Sequence, residues 1–329
     1  MHYPNTRIAV LIPCFNEETT IREVITQFAA ELPGAEIYVF DNNSSDQSAE
    51  MARQAGAIVI NEYRQGKGNV VRSMFRRVEA DIYVMVDGDC TYPPSEVHSL
   101  IAPVLAEQAH MVIGDRISST YDQENRRPFH SFGNRLVRWL VNRLFRSHLK
   151  DIMSGYRAFN HLFVKSLPVT SDAFEIETEM TIYALERKFS IAEIPITYKD
   201  RPKDSQSKLR TFSDGYKILK TIAIIFKNYK PFPFFLMFSF FSFVIGLSIG
   251  IGPIYEFINY RYVYKVPSAI LAASLHVIAL FSLFSGIILD TISSNHKEIH
   301  QMNLNNYLSN YYKDTDKNMV SYEDKKKIA

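Results

Sequence analysis

Two long stretches of this chain carry no Asp, Glu, Lys or Arg: Pro231–Tyr255, 25 residues long, and Val266–Leu289, 24 residues long. At ~1.5 Å of rise per helical residue, each outruns the ~30 Å hydrocarbon core of a bilayer. In the first, Phe232, Phe234, Phe235, Phe238, Phe240, Phe241 and Phe243 point all round a helix, so no polar face remains to meet water. The chain is therefore expected to cross a membrane twice. Lys217, Lys220, Lys227 and Lys230 precede the first run, whereas the connecting loop offers Arg261 and Lys265 against Glu256. The positive-inside rule then puts the large N-terminal part and the C-terminal tail in the cytoplasm. The segment Tyr216–Tyr229, mixing lysines with Ile, Leu and Phe, reads as a helix at the membrane surface or as a continuation of the soluble fold. The N-terminal apolar run is strand-like and falls short of a signal-peptide core. The expected organisation is a soluble domain over 1–212, an interfacial helix over 213–230, spans over 231–255 and 266–289, and a mobile tail over 293–329.

Ahead of the spans, short apolar runs alternate with amphipathic stretches. Strands are expected at Ile8–Ile12, Glu36–Phe40, Ala57–Ile60, Ile82–Val86 and Met111–Gly114. Helices are expected at Glu17–Leu32, Gln47–Ala55, Asn69–Glu79 and Ser95–Glu107. This rhythm predicts an α/β fold, a mostly parallel sheet with helices on both faces. Later segments read as a basic amphipathic stretch at Phe132–Phe145, a helix near Glu175–Arg187 and a strand at Ile191–Tyr198. Ligands of such sheets bind beyond the carboxyl ends of the strands. The unusual polar clusters PCFNEE, DNNSSD, NEYRQGKG, DGDCTYPP and GDR follow the five strands in turn, so one site is the economical explanation.

Asp87-Gly88-Asp89 ends a buried strand, and two carboxylates so placed can share a hard divalent cation that bridges a diphosphate. Asp41 can accept from a uracil imide or a ribose hydroxyl, with Asn43 adding contacts; an N-capped turn explains the same segment. Gly66-Lys67-Gly68 lacks full Walker spacing, so ATP is not inferred. Arg116, Arg126, Arg127, Arg157, Arg201 and Lys208 follow the sheet region and suit a second anionic pocket. Cys14 and Cys90 read as small buried fillers. His276, inside the second span, reads as a functional group or as a hydrogen bond to the other helix.

The segments VLIPCFNEE, FDNNSSDQS, RQGKGNVVR, MVDGDCTYPP, IGDR, KDIMSGYRAF, EIPITYKDR and SKL, over residues 8–209, together resemble an inverting family 2, GT-A-type glycosyltransferase. More narrowly they resemble the polyisoprenyl-phosphate glycosyltransferases of the dolichol-phosphate mannose synthase type. The two trailing spans match the bacterial subgroup that glycosylates undecaprenyl phosphate. The resemblance implies a GT-A domain with two C-terminal transmembrane helices, held in the bacterial inner membrane with its catalytic face cytoplasmic. It implies that Pro13, Phe15, Glu17 and Asp41 hold the nucleoside and that Asp87 and Asp89 hold Mg²⁺ or Mn²⁺. Arg116, Arg201 and Lys208 would surround the diphosphate, with Asn43, Lys67 and Gly88 completing the nucleotide-sugar set. Arg127, Ser131 and Arg157 would receive the acceptor phosphate. Asp151 would orient the acceptor, act as a base or hold the SGYR turn. Two departures stand out: Thr91 replaces a Gln found in some relatives, and DNN replaces the commoner DDG or DDS at residues 41–43.

The acceptor phosphate is already anionic, so attack on the sugar C1 needs positioning and charge stabilisation more than a strong base. UDP-N-acetylglucosamine or UDP-glucose is the expected donor. A flippase, a downstream glycosyltransferase and a second copy of the chain are the expected partners. Nucleic acid is excluded by the charge balance, 37 Lys and Arg against 35 Asp and Glu. Two cysteines exclude a disulfide framework. A processive polysaccharide synthase would want Gln-x-x-Arg-Trp, and Arg135 stands where the Gln would be, ahead of Trp139. A nucleotidyltransferase would want a Gly-rich loop where PCFNEE stands. A nucleotide-sugar-binding scaffold without turnover is the non-enzyme alternative.

Overall fold

The computed structural model describes residues 3, 6–118, 128–169, 176–198, 223–224 and 226–328. Among these, seven strands form one sheet: β1 (Ile8–Cys14), β2 (Glu36–Asp41), β3 (Ile58–Asn61), β4 (Ile82–Met85), β5 (Met111–Asp115), β6 (Arg157–Asn160) and β7 (Ile191–Pro195). Their spatial order is β3-β2-β1-β4-β6-β5-β7. The helices are α1 (Ile21–Glu31), α2 (Ser48–Gln54), α3 (Lys67–Arg77), α4 (Val97–Leu105), α5 (Pro128–Phe145), α6 (His161–Ser166), α7 (Ile176–Glu186), α8 (Pro231–Tyr260) and α9 (Val266–Ile328). The central strand β1 is buried at every position except the half-buried Pro13, which explains its unbroken apolar run. Helix α1 buries Ile21, Val24, Ile25 and Phe28, the 3-4-7 spacing of one helical face.

The sheet is mixed, because β6 runs antiparallel to both β4 and β5. No strand is expected over these four residues, Arg-Ala-Phe-Asn, since they are too few to display a period. Their direction matters: Arg157 pairs with Met85 and with Ile113, so the chain entering β6 crosses the edge where the parallel strands end. Helix α1 starts at Ile21 instead of Glu17. Asn16 has a left-handed backbone (φ 53°), and the N–H groups of Asn16 and Glu17 donate to Ser44 Oγ and Ser48 Oγ at 3.0 and 2.7 Å. Helix α3 starts earlier than expected, directly after Gly66, whose φ of 126° suits glycine.

The chain divides into two compact units, Met1–Gly215 and Tyr216–Ala329. In the second, α8 and α9 are both long and apolar enough to cross a membrane, and most of their apolar residues are exposed. Only a narrow stripe on each is covered. On α8 it is Ser239, Ser242, Gly246, Gly250 and Pro253; on α9 Ala272 and Ala279 are buried, and Gly286, seven residues on, meets Phe235. Small residues let the two backbones approach, and Ser239 Oγ donates to the Ala279 carbonyl at 2.7 Å. His276 does not bond the other helix: its Nδ1 faces the Ala272 carbonyl of its own helix at 2.7 Å, and its ring stands edge-on to Phe243 over Gly246.

Two boundaries of the second unit also differ from expectation. Helix α8 continues to Tyr260, where Arg261 takes a left-handed cap and Glu256 accepts the N–H groups of Tyr264 and Lys265 at 2.9 and 3.1 Å. The residues expected to form a mobile tail instead prolong α9 to Ile328. A helix nucleated in the span needs only propagation to continue through polar sequence. Of the segment expected to lie at the membrane surface, residues 223–224 and 226–229 are helical and the remainder lies outside the described residues.

Candidate active site

The loops after β1 and β2 are stitched to each other. Asn16 Oδ1 accepts the Ser45 N–H at 2.8 Å, and Glu18 Oε2 accepts the Gln47 N–H at 3.0 Å. Asp46 returns the bond from below, accepting the Glu18 N–H and the Ser48 hydroxyl. This double clasp fixes Pro13, Phe15 and Glu17, all half-buried, beside Asp41. Asp41 itself is buried, and its Oδ1 has no hydrogen-bond partner among the described residues; Oδ2 accepts the Ser44 N–H at 3.3 Å. A buried carboxylate oxygen without a donor is costly unless a ligand supplies one.

Asn42 is explained by the next loop. Its Nδ2 donates to the carbonyls of Glu62 and Arg64 at 2.9 and 2.8 Å, and its Oδ1 accepts the Gly66 N–H at 2.7 Å. The amide thus braces the turn that aims Lys67, which is why Asn suits the second position of this DNN. Asn43, left-handed at φ 60°, donates to the Tyr63 carbonyl at 2.7 Å, so its side chain is committed to the same brace.

At the end of β4, Asp87 Oδ1 accepts from Lys67 Nζ at 2.6 Å. A buried acid, Glu177 of α7, holds the same ammonium as the half-buried Asp87, at 2.5 Å. Burial alone would push the lysine down, but the two carboxylates outweigh it and hold Lys67 firmly protonated. Asp89 is 2% exposed, with Oδ1 accepting the Thr91 N–H at 3.2 Å and the Thr91 hydroxyl at 2.6 Å. Thr91 therefore orients Asp89, which answers the departure from Gln at that position. The Gly88 carbonyl between the two acids accepts from Thr20 Oγ1 at 2.7 Å.

The crossing segment closes the site. A Cβ on Gly155 would overlap the Asp87 carboxylate, with Cγ at 3.0 Å, so only glycine leaves this acid its place. The Gly155 N–H donates to the Tyr92 hydroxyl at 3.0 Å. Asp151 forms a two-pronged pair with Arg116, Nε to Oδ2 at 2.7 Å and Nη2 to Oδ1 at 3.0 Å, and also accepts the N–H groups of Arg116 and Met153. Burial raises an acid, yet here the adjacent guanidinium and these hydrogen bonds prevail and hold the Asp151 carboxyl below the usual carboxylate range. Arg116 also lies over the Tyr198 ring at 5.5 Å.

These facts revise two expectations. Asp151 is not placed as a base, since both oxygens are occupied by donors and its lowered proton affinity makes it a weak acceptor of a proton; it positions Arg116. Arg157 is not an acceptor-phosphate residue: it is wholly buried and donates to the carbonyls of Ser154 and Ile152, each at 2.8 Å, and to Thr181 Oγ1 at 3.0 Å. Burial pushes its guanidinium down to about 10, so it pins the crossing segment from beneath. Ser131 lies in α5 without a described side chain, and Arg126, Arg127, Arg201 and Lys208 lie outside the described residues. Unforeseen members are Glu177, Tyr92 and Gly155. The acids of FEIETEM were visible, but nothing local says which one turns inward.

The residues fit a divalent cation without dominating it. Among the described residues no group of three His, Cys, Asp or Glu side chains could hold a metal. Two carboxylates at a strand end are the donor set of a cation that takes its other oxygens from phosphate and water. Gly155→Ala is expected to displace Asp87 and lower turnover by about 10²-fold, as ångström-scale misplacement does. The check is the metal concentration for half-maximal rate, which should rise in the same variant.

Residues 9–166 match the family model described as "Glycosyl transferase family 2". Glycosyltransferase AglJ of Haloferax volcanii is 30% identical over 292 residues, 88% of this chain and 95% of that protein. The chain belongs to glycosyl transferase family 2. Its activity class is accordingly that of a transferase, and its sheet with helices on both faces is the GT-A fold. The dolichyl-phosphate hexose transferase of Haloferax volcanii is 28% identical over 66% of this glycosyltransferase and 92% of its own length. Among solved structures, glucosyl-3-phosphoglycerate synthase of Mycobacterium tuberculosis, in complex with Mn²⁺, UDP-glucose and phosphoglyceric acid, superposes with a TM-score of 0.54. It is 23% identical and the match covers 68% of this chain and 79% of that one, a likeness of fold.

Proposed function

We propose that this family 2 glycosyltransferase moves a sugar from UDP-N-acetylglucosamine or UDP-glucose to the phosphate of a polyisoprenyl lipid, undecaprenyl phosphate, with inversion at C1. The observation that carries the reading is the spacing along the sheet edge. The unsatisfied Asp41 oxygen lies at the end of β2, two strands from the Asp87–Asp89 pair following β4, or ~10 Å at the usual interstrand distance. That span suits a nucleoside at one end and a diphosphate at the other. Arg116, after β5 and a further two strands along, supplies a held cation beyond the diphosphate.

In the reaction a phosphate oxygen of the acceptor attacks C1 as the C1–O bond to the nucleoside diphosphate breaks, and the electron pair leaves with the diphosphate. A Mg²⁺ or Mn²⁺ on Asp87 and Asp89 would offset the charge that develops there. Asp41 and the clasped β1 loop orient the nucleoside. Arg116, locked by Asp151, opposes the two approaching anions, and no general base is needed because the nucleophile is already ionised. The apolar pair α8 and α9 supports a membrane setting, with the lysines before Pro231 on the cytoplasmic side. The dolichyl-phosphate hexose transferase supports a polyisoprenyl acceptor. Passage of the product to the far leaflet would fall to a separate flippase.

The test incubates detergent-purified protein with undecaprenyl phosphate, Mg²⁺ or Mn²⁺ and a panel of labelled nucleotide sugars. Label is expected in a mild-acid-labile lipid, from one donor, and EDTA is expected to prevent it. Nucleotide binding with no transfer from any donor would replace this reading with that of a scaffold.

A further inference from the structure

Helix α5 carries a face that the reaction does not use. Gly133, Val137 and Val141 are buried at intervals of four residues and form its inward seam. Arg135, Trp139 and Arg143 keep the same interval two residues further on, ~200° round a helix of 3.6 residues per turn. They stand opposite the seam, and all three are exposed, Trp139 at 60%. Leu136, half-buried and three residues back, flanks the indole on the same side. Trp139 is the only tryptophan of the chain. From Pro128 to Lys150 there is no Asp or Glu, against four arginines and a lysine, in a sequence whose charges otherwise nearly cancel. A large apolar ring held in water among uncompensated cations is unfavourable on both counts, unless something apolar and anionic covers it.

We propose that this face of α5 docks on anionic phospholipid headgroups, with Trp139 at the boundary between headgroups and acyl chains and Arg135, Arg143 and Arg146 on the phosphates around it. The inference rests on the reading of α8 and α9 as membrane spans, which supplies the lipid surface. An indole has an apolar body and one N–H donor, the combination that favours the membrane–water boundary. Guanidinium forks suit phosphate oxygens, and exposed cations are drawn to an anionic leaflet. A single aromatic summit on a convex helix gives a folded protein partner little area to close on, whereas a lipid surface needs none prepared. The docked face is rigidly joined to the site. Asn142 exchanges hydrogen bonds with both the N–H and the carbonyl of Leu149, and Arg138 donates to the Lys150 carbonyl at 2.8 Å. The next residue is Asp151, which holds Arg116, so seating α5 on the headgroups also sets the height of that cation above them.

The single tryptophan makes the experiment direct, because indole emission from the full chain reports on Trp139 alone and the parent needs no substitution. The chain is reconstituted in phosphatidylcholine vesicles with a constant share of brominated lipid and an increasing share of phosphatidylglycerol. Trp139 emission is expected to shift to the blue, to be quenched by the bromine atoms and to be shielded from aqueous iodide as the anionic share rises, and to revert in high salt. Arg143→Gln/Arg146→Gln is expected to lower the docked-to-undocked ratio roughly 20- to 30-fold, about fivefold for each cation lost. Emission open to iodide and untouched by bromolipid overturns the proposal. So does emission shielded from both, which would mean that a second copy or another protein covers the face. Quenching that is equal in phosphatidylcholine alone and indifferent to salt overturns it too, since the arginines would then have no role. A chain that is not retained by the vesicles after an alkaline wash overturns the membrane reading of α8 and α9 itself, whereas a retained chain with a water-exposed indole overturns this inference alone.

Discussion

Asp89→Asn is expected to reduce sugar transfer by on the order of 10³-fold or more, about 4 kcal/mol of lost transition-state stabilisation, while leaving the fold intact. The two halves of that expectation have separate grounds. Asparagine has the shape of aspartate and keeps an acceptor for the Thr91 hydroxyl, now 2.6 Å from Asp89 Oδ1, so this hold on the turn after β4 is retained. What goes is the charge, and in a pair that shares one cation the second carboxylate cannot replace it. Thermal unfolding should match the parent, nucleotide binding in the absence of metal should persist, and transfer should not return at high Mn²⁺. Near-normal turnover would sink the metal assignment.

Asp151→Ala is expected to damage both stability and catalysis. Removing one member of a buried ion pair leaves the other charge uncompensated, a loss of about 3–5 kcal/mol. Asp151 is 2% exposed and its Arg116 partner 13% exposed on the side-chain scale, so the lower end applies, roughly 3 kcal/mol. That corresponds to a fall in Tm of roughly 6–12 °C for a domain of this size. Turnover should drop with it, since Arg116 then loses the carboxylate that fixes its direction. The pair also predicts an acid limb. The Asp151 carboxyl is held below its ordinary value, so its contribution to stability is complete above the unfolded-state value of about 4 and is lost as pH falls through the lowered one. The variant should therefore unfold with a shallower dependence on acid than the parent, measured by melting across pH 2–6.

The parallel strands were legible because a strand buried on both faces must be apolar throughout, and Ile8–Ile12 and Ile82–Val86 have no other reading. The polar clusters were legible for the complementary reason: no loop needs PCFNEE, DNNSSD and DGD in succession unless the loops meet. Strand β6 escaped because four residues carry no period, and its role lies in its direction. Arg157 shows the limit for side chains. An arginine in SGYRAF looks identical whether it faces solvent or fills a cavity lined by the carbonyls of Ser154 and Ile152, and only the fold brings those carbonyls round it. Glu177 is the reverse case, an acid indistinguishable from Glu175 and Glu179 in sequence until α7 is set against α3. Asn42 was visible as an oddity in the motif, but its use, bracing residues 62–66, depends on β2 and β3 lying side by side.

The seam between α8 and α9 has a consequence for how the acceptor is met. Ser239, Gly246, Ala272, Ala279 and Gly286 bring the two backbones into contact and leave the bulky aromatic side chains facing outward. A pair zipped this closely is a stake and not a conduit: a phosphate headgroup has nowhere to pass between the helices. In a bilayer the chain would then hunt its lipid within a plane. The variable that sets the rate becomes the mole fraction of acceptor among its neighbours, so diluting the membrane with inert lipid would slow turnover even at constant bulk concentration, as tethering of both reactants to one surface requires.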